Sequence, residues 1–354
     1  MKYNVLLSFL LFAACMTRGA AQTLGDFRPK EQSYGLGKVK NAQRIYIASF
    51  TVNYQIYNEK EDFKQGGRML GGGYKGDAHA SLSVGLDNIT EAGIQAVTDS
   101  LYRDFTAMLK AKGLEIITAD EAGATETYNG FTRVKGGRIN EAQFPGTLAT
   151  TPAGFEYYVK NISKSGKEKS GGFLNNPSTI YGKLSSQLND AIIADVDLFV
   201  LFIEDKNAMD LAGANIKVKT SLRLAATEAI IMKSNARIKL KGQNNVVSAT
   251  SQASFYHGKV PVGIGVNSSY TGGLKSPLDV KGVIEDKKIQ SFASNRRDYI
   301  GTPTIYGTWY NPGNTSSSST TVIPVDEQKY TSGAYLAGRK FLEYHTEAFL
   351  KNVK

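Results

Sequence analysis

Cysteine is nearly absent from this chain. Cys15 is the only one in 354 residues, and it lies in the first stretch, which reads as a leader. Once that leader is removed no thiol remains. Disulfide bracing, thiolate metal sites and thiol nucleophiles are then excluded, and the fold must be held by core packing alone. Histidine is also scarce: His79, His257 and His345 are the full set. None has a second histidine or a cysteine three or four residues away, so no helical zinc signature exists and no metal is expected. The three read as structural or surface residues. The serine nucleophile pattern G-x-S-x-G is missing. No run beyond the leader is long and apolar enough to cross a bilayer as a helix. No cofactor is expected and no repeat at solenoid periods is found.

The excess charge is basic, with 42 Lys and Arg against 32 Asp and Glu, for a net +10. Residues 1–21 form the leader: Lys2 supplies the positive start and Val5 to Ala14 the short apolar segment. Gly19-Ala20-Ala21 offers small residues for cleavage before Gln22. The alternative is Cys15, where Phe12-Ala13-Ala14-Cys15 resembles a lipobox and the cysteine would carry lipid. Cleavage after Ala21 removes Lys2 and Arg18 and no acid, leaving +8. An exported basic chain suits anionic membrane surfaces or acidic glycans, and solubility alone would also account for it. Nucleic acid is not an expected partner, although Lys160, Lys164, Lys167 and Lys169 cluster near Tyr157 and Tyr158. That cluster reads as a solvated loop.

At 41% hydrophobic and 21% charged residues the chain is an ordinary folded one. Asn88 to Thr118 organises it. Asn88 and Glu91 fit a capping box. Ile94, Val97, Leu101, Phe105 and Met108 recur at helical spacing, and Gly113 ends the helix. Leu114–Thr118 then reads as a strand, and Ile45–Phe50, extending toward Ile56, as another. Together they form a β-α-β unit. Ser178–Ala194 is expected as a second helix feeding Val196–Ile203. That run is nearly all apolar, so it should lie in the sheet centre with cover on both faces.

Between these units, Gly66 to Gly76 contains a literal G-x-G-x-x-G, but no helix follows it. A hairpin tip is the better reading, with arms Val52–Tyr57 and Ala80–Leu86. Residues 121–176 show no period and read as irregular. Beyond Ile216, antiparallel strands are expected at Ser221–Ala225, Ala229–Met232, Ala236–Leu240, Val246–Tyr256 and Val260–Val266. Val280–Ile284 and Ile289–Phe292 should pair with each other. Thr302–Pro324 reads as a loop with an exposed serine run, and Tyr330–Val353 as a closing helix begun by Thr331 or Ser332. The fold class expected is α+β: a mixed β-sheet with helices packed on it, plus antiparallel β-hairpins. The organisation expected is a leader at 1–21, an N-terminal arm at 22–41 and one α+β domain at 42–354, with insertions at 54–86 and 121–176.

Two groups of residues could carry chemistry. Glu204 and Asp205 end the most apolar strand, where sheet enzymes place acids and bases, so a secreted carboxylate-dependent hydrolase is one alternative. Tyr306, Trp309 and Tyr310 lie beside Gly307 and Pro312 and could stack on sugar rings, so a glycan-binding module is another.

The order strand Ile45–Phe50, helix Ile89–Lys112, strand Leu114–Thr118, helix Ile180–Ala194, strand Val196–Ile203 resembles a β-α-β-α-β core of bacterial envelope proteins. The curli-secretion channel family and the amino-terminal domain of the translocation protein TolB share it. Ala96-Val97-Thr98-Asp99-Ser100-Leu101 is similar to the helix of that family, and Ala194-Asp195-Val196-Asp197 to its Gly/Ala-Asp turn. The resemblance covers about a third of the mature chain and departs from the family at Tyr54–Leu86 and at the lipobox. Taken with export, a sizeable folded core and the absence of catalytic motifs, it leads to the expectation of a non-enzymatic envelope protein, periplasmic or outer-membrane-associated, acting by binding or assembly as a homo-oligomer or with an envelope partner. That family includes pore formers with barrel-building hairpins, with which Tyr54–Leu86 and Ala229–Tyr270 are comparable. No functional residue is transferred.

Overall fold

The computed structural model describes residues 22–39, 42–68, 74–144, 146–162, 164, 168–169, 177–206, 213–233, 244–260, 265–295 and 299–353. The leader, Cys15 included, lies outside them. The fold is α+β, with mixed and antiparallel sheets and helical cover.

The central strand runs from Ile192 to Lys206, and every residue from Ile192 to Ile203 is buried except half-buried Asp197. It is longer than the expected Val196–Ile203 and as interior as that run demands. One edge pairs in parallel with Arg44–Gln55, from Ile192 opposite Ile45 to Val200 opposite Tyr54. The other edge is divided. Gln252–Lys259 pairs antiparallel along Ile193–Asp197, and Gly213–Leu224 along Val200–Lys206. Between the two, the Phe199 carbonyl accepts from the Ala225 amide, and the Phe199 amide donates to Ser251 Oγ.

Alternation along this strand sorts its side chains between two covers. Ile192, Ala194, Val196, Leu198, Val200 and Phe202 join the cluster of helices α1 (Glu91–Ala111) and α4 (Glu327–Leu350). Ile193 faces the other way, with Tyr46, Ile117, Tyr128, Leu184 and Leu188. That side is roofed by α2 (Ala119–Gly123) and α3 (Pro177–Gln187). Each fully buried aliphatic or aromatic side chain stabilises the fold by about 1.5–3 kcal/mol.

Helix α1 buries the expected face at Ile94, Val97, Leu101 and Phe105, with Leu109 buried and Met108 at the margin. Its cap differs from expectation. Thr90 Oγ1 accepts from the Gly93 amide at 3.0 Å, while Asn88 sits two residues earlier at φ 63°, as a turn residue. Gly113 closes the helix at φ 82° as expected. Glu115–Ile116 then pairs in parallel with Arg44 and Ile45, which completes the β-α-β unit with a shorter last strand than Leu114–Thr118. Helix α3 ends at Gln187, not Ala194, because Asn189 and Asp190 both take positive φ. Ala191 lies in the link and Ile192 opens the strand. Ala194–Asp197 is accordingly interior strand and not a turn. Asp326, not Thr331 or Ser332, caps α4 by accepting from the Lys329 amide at 3.1 Å.

The N-terminal arm supplies the strands at both ends of the main sheet's strand order. Pro29–Tyr34 pairs with Val266–Leu274, Thr23–Leu24 pairs with Leu278–Lys281, and Gln22 Oε1 accepts from Ser332 Oγ. Leu278–Lys281 and Lys288–Ser294 both pair with Gly213–Leu224, which replaces the expected pairing between them. Val246–Tyr256 is split at Ser251 into two strands, Asn244–Thr250 and Gln252–Lys259. Among the described residues of the expected Val260–Val266 strand, Val260 and Gly265 are not in a strand and Val266 is; residues 261–264 lie outside the described residues, as does Ala236–Leu240.

A second, three-stranded layer is built from Tyr57–Lys64, Ala78–Asp87 and Thr315–Pro324. The first two are the hairpin arms, displaced from the expected Val52–Tyr57, because Arg44–Gln55 stays in the main sheet. Gly67–Arg68 pairs with Tyr74–Lys75 at the tip, and the strand Ala78–Asp87, not a helix, follows; residues 69–73, which hold most of the glycine run, lie outside the described residues. The inner face of the Ala78–Asp87 strand, Ala78, Ala80, Leu82 and Val84, is fully buried. The serine run, expected as a loop, is the strand Thr315–Pro324, parallel to Ala78–Asp87. Serine and threonine suit an edge whose alternate residues face water. Within 121–176, expected as irregular, the described residues also hold paired strands. Thr132–Lys135 pairs with Glu156–Val159, and Ile139–Phe144 with Thr147–Thr150. Two further hairpins pair only within themselves among the described residues: Thr227–Lys233 with Asn244–Thr250, and Tyr299–Thr304 with Gly307–Pro312.

Candidate functional site

A cavity of about 330 Å³ lies on the α3 side of the central sheet. Its floor exists because of a β-bulge. Ala194 pairs with Ile47 and Asp195 with Ser49, so Ala48 is skipped. A bulge lets two successive residues share a side. Ala48 and Ser49 both line the cavity, while Ile47 and Phe50 both enter the opposite core.

Asp195 and Asp197 lie on this floor, two residues apart and therefore on one face. Tyr181 of α3 donates its hydroxyl to Asp195 Oδ2 at 3.1 Å. Asn53 Nδ2 donates to Asp197 Oδ1 at 2.6 Å and to the Leu198 carbonyl at 3.1 Å. Neither carboxylate has a Lys or Arg partner within ion-pair distance among the described residues. Burial pushes the Asp195 carboxyl up to about 6, against the Tyr181 bond, which favours ionisation. Burial, and then the like charge of Asp195, push Asp197 up to about 8, against the Asn53 bond. Around neutrality the pair retains about one proton between its two members.

The walls are aromatic. Tyr128 and Tyr158 stack with centroids 4.4 Å apart, and Tyr158 is tied down by donating to the Ala119 carbonyl at 3.0 Å. Tyr157 stacks on Phe155 and donates to Glu168 Oε1 at 2.8 Å. Lys160 and Arg138 complete the rim. The basic, tyrosine-bearing segment expected as a solvated loop thus contributes Lys160, Tyr157 and Tyr158 to this cavity. Lys164 is exposed, and Lys167 lies outside the described residues.

The candidate acids from the sequence are elsewhere. Glu204 and Asp205 are consecutive on a strand, so their side chains leave on opposite faces and cannot act as one acid–base pair. Each has a lysine: Glu204 pairs with Lys206 at 2.5 Å, and Asp205 with Lys60 of the second layer. Neither lines the cavity. The aromatic group is at the turn of the last hairpin. Tyr306 is 88% exposed, Trp309 67%, and Ile305 beside them 90%. Tyr310 follows on the same strand, opposite Gly301. His345 is buried between Tyr270 and the Gly273 carbonyl, and His257 is buried in the sheet. His79 is half-buried on Ala78–Asp87. Among the described residues no cluster of three or more His, Cys, Asp or Glu could hold a metal.

Asp195 and Asp197 are not among the candidate site residues that the sequence offers. A signal for them is present all the same: two carboxylates at even spacing inside an apolar run must share one face of a buried strand. The wall residues have no such signal, since the turn Glu126–Tyr128 and the strand Glu156–Val159, both distant in sequence from the floor, deliver them. The chain matches no protein-family model, no curated protein and no solved structure.

Proposed function

We propose that this is an exported, non-enzymatic component of the bacterial cell envelope, working at a membrane surface as a homo-oligomer through its β-hairpins. The observation that carries the reading is the exposed hairpin end, where Ile305, Tyr306 and Trp309 stand together in water. Large rings with one polar atom suit the boundary between headgroups and acyl chains, and leaving them in water is unfavourable. The chain's positive charge adds attraction to anionic headgroups. The resemblance to the curli-secretion channel family, which includes pore formers whose hairpins assemble into a barrel, supports the same reading, as does the leader expected at residues 1–21. Periplasmic or outer-membrane association follows from it.

The test is co-sedimentation of the purified protein with vesicles containing about 30% anionic lipid, with mass measured by light scattering on and off lipid. Binding that falls about tenfold or more in the Ile305→Ser, Tyr306→Ser, Trp309→Ser triple variant, with a defined oligomer on lipid, supports the reading. A monomer that ignores vesicles overturns it. Retention on a glycan array in place of vesicles would reassign the hairpin end to sugar. Intact mass of the mature N-terminus separates a Gln22 start from a lipidated Cys15.

A further inference from the structure

We propose that the cavity over Asp195 and Asp197 is a binding site for a small organic cation carrying two amino groups. The inference is independent of the membrane-surface reading and rests on the cavity's own chemistry. Two carboxylates on one face of a buried strand, without a cationic partner among the described residues, make a locus that is costly when empty. Residues two apart on a strand are spaced about 6–7 Å, which a four-carbon diamine matches. The walls select the kind of cation. The stacked pair Tyr128 and Tyr158 lines the cavity with aromatic carbon, against which the methylenes between two ammonium groups can pack. Among the described residues no third His, Cys, Asp or Glu comes close enough to the two carboxylates to complete a metal site.

The hydrogen bonds already present leave the floor available. Tyr181 occupies one oxygen of Asp195, and Asn53 one oxygen of Asp197. The cavity volume, about 330 Å³, is in the range of small-molecule sites. Other titratable groups near the floor do not change sign there at neutral pH. Burial raises the hydroxyls of Tyr181, Tyr128 and Tyr256, with the Asp195 charge adding to each, so they stay neutral donors. Arg138 and Lys160 on the rim repel the ligand, and Glu168 attracts it. Binding a dication expels the proton shared by the two carboxyls, so affinity rises with pH.

The experiment is calorimetric titration of the purified protein with 1,4-diaminobutane, butane-1,4-diol and calcium chloride in turn, at a pH of about 8 and of about 5.5. Expected is saturable one-to-one binding of the diamine, about tenfold or more tighter at the higher pH, with proton release in buffers of differing ionisation heat. The diol should bind about tenfold or more weakly by comparison. Asp195→Asn with Asp197→Asn should lose about tenfold or more in affinity while keeping the circular dichroism of the parent. If the double variant does not fold, Asp197→Asn alone serves, with the same loss expected. No saturation by about 10 mM diamine, equal binding of the diol, calcium binding in place of the diamine, or unchanged binding in a folded variant would each overturn the proposal.

Discussion

The ring of Phe255 lies flat on that of Phe349, centroids 4.2 Å apart and planes within 3°. This contact joins the sheet to the last turn of α4, and Phe105 of α1 approaches the same Phe255 ring at 6.3 Å. Phe349→Ala should therefore reduce stability by about 3–5 kcal/mol, the cost of a large cavity in a well-packed core. Urea unfolding checks it. A loss under about 1 kcal/mol would mean that α4 is not anchored here.

His345 sets an acid limit. Its Nε2 donates to the Gly273 carbonyl at 2.9 Å, leaving Nδ1 to accept from the Tyr270 hydroxyl at 2.8 Å, so the ring is neutral. Burial lowers its pKa to about 4 from 6.5. The unfolded chain then binds more protons than the folded one between those values. Stability from this residue is present above pH 6.5 and is lost as pH falls toward 4. His345→Gln should flatten that part of the pH–stability curve. An unchanged acid limb in the variant would refute the assignment.

Asp197 works in the opposite sense. Its native carboxyl keeps a proton up to about pH 8, whereas the unfolded chain loses it near 3.8. Unfolding releases that proton across the window, so stability falls as pH rises from about 4 to 8. Asp197→Asn keeps the partner of Asn53 and removes the penalty. It should raise stability near pH 8 by about 1–3 kcal/mol, discounted for the open side of the cavity, and change little below about pH 4. Thermal melts at the two pH values decide it.

Lys60 and Asp205 bind the second layer to the central strand, with Lys60 buried and its ammonium pushed down by desolvation. Asp205→Ala leaves that cation stranded and should cost about 3–5 kcal/mol. Lys60→Met combined with Asp205→Leu should recover most of the loss. A double-mutant cycle without coupling would show the pair to be incidental.

Legibility in the sequence differs by element. The central strand is legible, because a run such as Val196–Ile203 cannot meet water on either face. Helix α1 is legible too, because period and length agree from Ile94 to Leu109. Its cap is ambiguous because Asn88 and Thr90 are both good cap residues, and only the chain path selects between them. The end of α3 is hidden because Leu188, Ala191 and Ile192 continue its apolar pattern, while two left-handed residues, Asn189 and Asp190, break it. The serine run mimics a loop because an edge strand facing water carries no apolar period. The cavity is half visible. Asp195 and Asp197 are local, but the bulge at Ala48 and the tyrosine walls depend on long-range pairing.

The divided edge of the central strand has a further result. The excursion from Thr227 to Thr250 is rooted where Phe199 bonds to Ala225 and Ser251, and the sheet on either side is registered without it. Natural variants can therefore lengthen or trim this outgrowth, adding residues in opposed pairs, while the host scaffold keeps its alignment.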